Sequence, residues 1–418
     1  MAWDRGSPKR QAAAQERALK MQLVDAVGPF SPFWRDRFTA LGCTAAQVAT
    51  VAALSTVPAV GERDVCPDGD PFGAAALVLQ AGEAEWALHT DGPALRRALV
   101  GRLVRPGSYR AVVEADTRPT SFVFAGLGMR FPIASTRGDL DVVVRAGARL
   151  WTVLGLTRSD VMIAATVLAL RSATTVDDLD EAGARLTTVT TVLLVGAPTS
   201  AERAAVAEAL ERVGLQPVVL AVHAPDGHRL LWGECRGGEG LHTYPDLELV
   251  QLVDPETGEA GDGQGPDEVV LSQLGMRGSA LLRWRTADLA DAINTATCPG
   301  CQRTVPRALG LHRRALVPEL SLRSGIRGVD LRAVCAALVG RGDVADWRVV
   351  VGPSERRSTV GVVVHVVARS DVDPSDVAVG VALDVRVAAG LLPTQVVVED
   401  AGSLPDEDRL SRRLHCRL

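Results

Sequence analysis

Apolar side chains recur at helical spacing over residues 10–27, where Leu19, Leu23, Val24 and Val27 fall on one stripe. The same reading predicts helices over Phe33–Leu41 and Asp139–Leu154, and another starting at Thr44 as its N-cap, with Pro58 ending that region. Residues 61–120 mix short apolar runs with Gly, Pro and Asp and fix no clear element. Continuous β-branched runs then predict buried strands at Val161–Val167, TTVTTVLLVG and LQPVVLAV. Between the last two, Pro198–Thr199–Ser200 opens a helix over Ala201–Val213, which gives a parallel strand–helix–strand unit. Three more strands are expected at Glu248–Asp254, Val269–Leu274 and Leu281–Arg285, separated by a tight PETGE turn and a looser one at Gly261–Pro266.

From about Pro318 the pattern changes. A short strand at Glu319–Leu322, a helix at Val329–Leu338 with Gly340 past its end, and a hairpin of Trp347–Val351 with Thr359–Ala368 come first. Asp373 then caps a helix with Pro374 at its first position and Gly390 after its end, before a last strand at Thr394–Glu399. The expected fold class is therefore α/β, with a large N-terminal domain of mixed sheets over 1–312 and a small C-terminal α+β (βαββαβ) domain over 313–418.

At 418 residues with 47% apolar and 23% charged positions, the chain has the composition of an ordinary globular protein. A net charge of −5 argues against nucleic acid as a partner. No apolar run approaches the roughly 20 residues that cross a bilayer, so no membrane partner is expected. The polar N-terminus lacks a signal core, and a cytoplasmic location is the expectation. Arginine supplies the basic residues except Lys9 and Lys20, so no lysine lies beyond residue 20.

The seven cysteines do not form a disulfide pattern. Cys298-Pro-Gly-Cys301 can aim two thiolates at one tetrahedral ion, and Cys235 and His242, flanked by glycines, can complete the set. A four-ligand Cys₃His zinc site spanning 235–301 would be structural. A redox pair or two inert buried thiols are the alternatives. Cys43, Cys66, Cys335 and Cys416 are isolated and read as structural.

Taken in order, Glu234–Cys235, Gly240–Leu241–His242, Pro255–Glu259, the strand Asp267–Leu274, WRTADL at 284–289 and CPGCQRT at 298–304 resemble the phenylacetate–CoA ligase-like branch of the adenylate-forming (AMP-binding) enzymes. SPFWRDRF, the helix from Thr136–Asp139 and the C-terminal IRGVDL and SLP extend the likeness along the chain. The resemblance implies an adenylate-forming-type N-terminal domain, ATP and Mg²⁺ as cofactors, and acyl transfer to coenzyme A. Asp288 matches the ribose ligand, with Arg285 and Thr286 beside it. Gly126 and Gly128 fall in the phosphate loop, where backbone N–H groups can approach an anion.

Several parts of that machinery are missing. FAGLGMRFP at 124–132 lacks the loop's hydroxyls and lysine, and Asp226 is the one carboxylate placed to hold Mg²⁺. The segment after SLP has arginines (Arg409, Arg412, Arg413) but no lysine, and acyl-pocket sequence between Val167 and Val189 is absent. His223 and His228 read as solvent-exposed loop histidines without a role. The expectation is a degenerate member that binds a nucleotide or acyl ligand or a partner enzyme, with no assigned catalytic residue. The alternative is active, ATP-dependent acid–CoA ligation with relaxed motifs.

Overall fold

The computed structural model describes residues 4–89, 92–105, 107–126, 130–165, 189–198, 200–212, 214–237, 239–261, 266–312, 316, 319–322, 325–329, 331–353, 360–370, 372–404 and 414–416. Among them the strands form five sheets, and the chain is mixed α/β. The expected residues Gly128, Thr166 and Val167 lie outside the described set, as do Arg409, Arg412 and Arg413.

The N-terminal helix Pro8–Gln22 runs into a π turn over Leu23–Val27, and Leu19, Leu23 and Val27 are buried as the stripe requires. Polar side chains on this helix bond far along the sequence. Gln15 Nε2 donates to the Glu248 carbonyl at 2.8 Å and Gln22 Nε2 to that of Met276 at 2.9 Å. The helix Pro32–Ala40 is capped by Ser31 and buries Trp34 and Phe38. Thr44 opens only a turn. The next helix is Val51–Ser55, and its cap is Thr50, whose Oγ1 accepts from Ala53 N at 3.1 Å. Both threonines suit a cap; the difference is that the helix after Thr50 buries Leu54 in the core, whereas residues 45–48 close as turns.

A hairpin of Pro119–Ala125 with Phe131–Thr136 leads into the helix Arg137–Leu154. Its start is a full capping box: Thr136 Oγ1 accepts from Asp139 N at 3.2 Å, and Asp139 Oδ2 accepts from Thr136 N at 2.9 Å. The strands Met162–Ala165, Thr191–Val195 and Val218–His223 pair in parallel, as the strand–helix–strand pattern predicts. Four short strands continue that sheet: Trp232–Gly233, Leu241–His242, Arg307–Leu309 and Ala292–Asn294. A separate three-stranded antiparallel sheet holds Glu248–Val253, Asp267–Gln273 and Trp284–Ala290.

The last strand of that sheet begins three residues later than its apolar pattern suggests, and it bulges between Arg285 and Leu289. At the bulge Ala287 has a φ of 62°, a left-handed conformation that costs an L-residue roughly 1–2 kcal/mol. Burial compensates for it: Ala287 and Leu289 pack into the apolar core of the C-terminal part with Leu316, Val329, Leu331 and Val334.

In that C-terminal part the helices Leu331–Val339 and Pro374–Ala389 cover one face of a four-stranded sheet. Asp373 and Gly390 cap the second helix as expected. The sheet order is Gln395–Glu399, Val360–Ala368, Val344–Pro353, Leu414–Cys416. Glu319–Leu322 does not join it but pairs with Gly325–Gly328 in its own hairpin. The fourth strand comes instead from Leu414–Cys416, parallel to Val349–Val351. No described helix is long and apolar enough to cross a membrane.

Candidate functional site

The short strand at Leu241–His242, which lies inside the large sheet, meets the loop after Trp232–Gly233 and the turn at Cys298–Cys301. One donor atom each from Cys235, His242, Cys298 and Cys301 lies within 4.8 Å of all the others. Cys235 Sγ is 3.6 Å from Cys298 Sγ, and Cys301 Sγ is 3.5 Å from His242 Nε2. Sulfurs held 2.3 Å from a tetrahedral ion stand about 3.8 Å apart, so these spacings suit such an ion and are too long for a disulfide. Burial, opposed by the Gly237 N–H and supported by the neighbouring thiols, pushes Cys235 up to about 12. Burial would also raise Cys298, but N–H groups of Cys301 and Gly300 and the two neighbouring thiols take it below its ordinary value. Burial, together with Arg303 and Arg307, lowers His242 to about 4, so its ring is neutral at neutral pH, the form that ligates metals.

The surroundings are tied down. Arg303 Nε donates to Asp4 Oδ2 at 2.7 Å, and Thr304 Oγ1 donates to the Gly6 carbonyl at 2.6 Å. Arg236 reaches Asp160 at 2.9 Å. Hydrogen bonds from Thr157 N and Oγ1, with help from Arg236 and Thr190, hold the Asp160 carboxyl well below the usual carboxylate range.

The second group of expected residues lies on the bulged strand, and each member has a protein partner. Arg285 Nε donates to Glu268 Oε2 at 2.7 Å, and its NH2 donates to the Pro255 carbonyl at 2.6 Å. Thr286 Oγ1 donates to the Val269 carbonyl at 2.8 Å. Asp288 is 1% exposed and its Oδ2 is 2.7 Å from His223 Nε2. The structure therefore corrects the reading of the two histidines. His223 ends the buried strand Val218–His223, and His228 pairs with the buried Glu248, which also accepts from Trp232 Nε1 at 2.9 Å and Tyr244 N at 2.6 Å. A histidine closing an apolar strand and an acidic residue inside another were the available signals.

Gly126 directly follows the first hairpin strand with a φ of 90°, and its N–H donates to Asp226 Oδ2 at 3.0 Å. Asp226 thus sits against the glycine turn, next to Gly227, where any side chain would press on the Trp284 indole. The buried Arg229 follows. Burial lowers its guanidinium to about 10 against the pull of Asp139, so it stays charged at neutral pH. Gly126, Asp226, His223 and Asp288 hence lie on segments joined by direct hydrogen bonds.

This arrangement can be set beside solved structures. A 2-hydroxyisobutyryl-CoA ligase in complex with 2-HIB-AMP and CoA in the thioesterification state aligns over 99% of this chain and 91% of its own, with a TM-score of 0.54 at 13% identity. The same ligase in an open conformation gives 0.51 at 14% identity over 98% of this chain and 92% of its own. Its postadenylation state with 2-HIB-AMP gives 0.52 at 13% identity over 98% and 90%. The fold is that of the adenylate-forming enzymes. No protein-family model matches the sequence, and no curated protein does. At this identity the shared property is the fold, and any activity has to be argued from this chain's own side chains.

Proposed function

We propose that this chain is a catalytically degenerate, phenylacetate–CoA ligase-like protein. It keeps the adenylate-forming fold as a scaffold for an acyl ligand or a partner enzyme, and has given up acid activation. The observation that carries the reading is the state of Asp288: a carboxylate in the position expected to anchor a ribose is closed off at 1% exposure and bonded to His223. Three further observations support it. Arg285 is committed to Glu268, which is fully buried. The Gly126 N–H, suited to a phosphate oxygen, is taken by the carboxylate of Asp226. Beyond residue 20 the sequence contains no lysine to stabilise developing negative charge. Each preorganised group of this kind is worth about 3 kcal/mol in a transition state, so losing several together disables the reaction.

Within the same reading, Cys235, His242, Cys298 and Cys301 hold one structural zinc ion. The donor spacing, the neutral histidine and the low Cys298 thiol support it. Four protein ligands leave no open position, so the ion would cross-link two loops and supply no reactive water. The C-terminal part from residue 313 is taken as a separate domain.

The test is acid-dependent exchange of pyrophosphate into ATP, measured over a panel of aliphatic and aromatic carboxylic acids. No exchange above background is expected, and robust exchange with any acid overturns the degenerate reading. Metal analysis is expected to give about one zinc per chain. Metal-free protein whose Cys298 and Cys301 alkylate freely would remove the zinc assignment.

A further inference from the structure

The helix Pro374–Ala389 is apolar on two opposite faces. Val377, Val381 and Val385 are completely buried against the C-terminal sheet. Val379, Leu383 and Val387 repeat the same four-residue spacing about 160° around the helix and are 61%, 53% and 86% exposed. A helix on the surface of a globular protein normally turns charged and polar residues outward, and one apolar all round is a buried helix. Here the buried stripe has its cover and the second one has none among the described residues.

We propose that the Val379–Leu383–Val387 face is where a second copy of this chain docks, antiparallel, about a two-fold axis near Val381. The charges on the same face favour a copy of itself over another partner. Asp376 lies at the N-terminal end of the stripe and Arg386 at the C-terminal end, both exposed and neither in an ion pair among the described residues. Antiparallel pairing places Val379 of one copy against Leu383 of the other, and sets Asp376 against Arg386 at both ends. A two-fold interface must be self-complementary in this way. The exposed acid elsewhere on the helix, Asp384, is already paired with Arg341 and faces away from the stripe. One helix pair buries less than the roughly 800 Å² per partner of a standard interface, so the association is weak and concentration-dependent.

Sedimentation velocity on the full-length protein from about 1 to 200 μM tests this, with circular dichroism confirming that each variant is folded. The wild type is expected to shift from monomer to dimer across that range, and Leu383→Asp to stay monomeric. Asp376→Arg and Arg386→Asp should each weaken the dimer by about tenfold, and the double reversal D376R/R386D should restore it. A wild type that is monomeric throughout overturns the proposal, whether the stripe then proves bare or covered by another part of the same chain. So does a dimer that survives Leu383→Asp, and so does a double reversal no better than the single ones.

Discussion

The cysteine–histidine cluster and the bulged strand at 284–290 both carry side chains that the sequence marks as ligand-binding, but the two groups differ in what their polar atoms do. The donors of Cys235, His242, Cys298 and Cys301 point at one another, and His242 Nδ1 is buried without a hydrogen-bond partner. On the bulged strand Arg285, Thr286 and Asp288 are each satisfied by the protein itself. Buried donors that converge without neutralising one another call for an ion, whereas buried groups that already have partners are part of the framework. The same motif-level evidence therefore leads to a converging donor cluster in one place and to internally paired side chains in the other.

The largest test of that contrast is Cys298→Ser, together with chelation of the wild type. Either should remove the metal and lower the unfolding free energy by on the order of 5 kcal/mol, read by metal analysis and by denaturant unfolding with and without chelator. Next comes Glu268→Ala, which leaves Arg285 half-buried without its partner. A loss of about 3–5 kcal/mol is expected in urea unfolding, and a value near zero would break the view of this strand as framework. Asp288→Asn is smaller and sharper. It should lower stability by roughly 1–3 kcal/mol, with no AMP binding by titration calorimetry in either wild type or variant; AMP binding by the wild type that the variant selectively loses would return Asp288 to a ligand role.

The smallest effect concerns Asp116, which lies beside Trp86 and Arg277. Burial raises its carboxyl, with Arg277 and the Trp86 indole N–H pulling the other way. A raised folded pKa means that its favourable contribution is complete below the ordinary carboxylate range and is lost as pH rises through the folded value. Asp116→Asn should therefore be more stable than the wild type at pH 7 and equal to it at pH 3, by chemical denaturation at both pH values.

Much of the fold could be read from local pattern. The parallel unit around Thr191–Val195 and Val218–His223, and the cap at Asp373, follow from periodicity and short-range hydrogen bonding. That Cys235, His242, Cys298 and Cys301 come together was legible because their order and spacing along the chain fit one four-donor cluster. The errors share one cause: they depended on partners distant in sequence. His223 looks like a loop residue until Asp288 is placed 2.7 Å away, and nothing near Leu414–Cys416 announces that it completes a sheet with Val349–Val351. Thr44 and Thr50 are locally equivalent, and the choice between them is made by helix packing, with Leu54 completely buried.

The bonds from Asp4 and Gly6 to Arg303 and Thr304 bear on how the protein is made. The first helix also depends on Glu248 and Met276 for its long-range hydrogen bonds. At 5–20 residues per second, a ribosome needs roughly 15–60 s to pass from the first of these partners to the last. Through that interval the stripe of Leu19, Leu23 and Val27 lacks the part of its cluster that Leu249, Leu274 and Leu281 supply. A nascent chain arrested before residue 298 should therefore expose its N-terminal helix to proteases and chaperones, and one released past residue 304 should hide it.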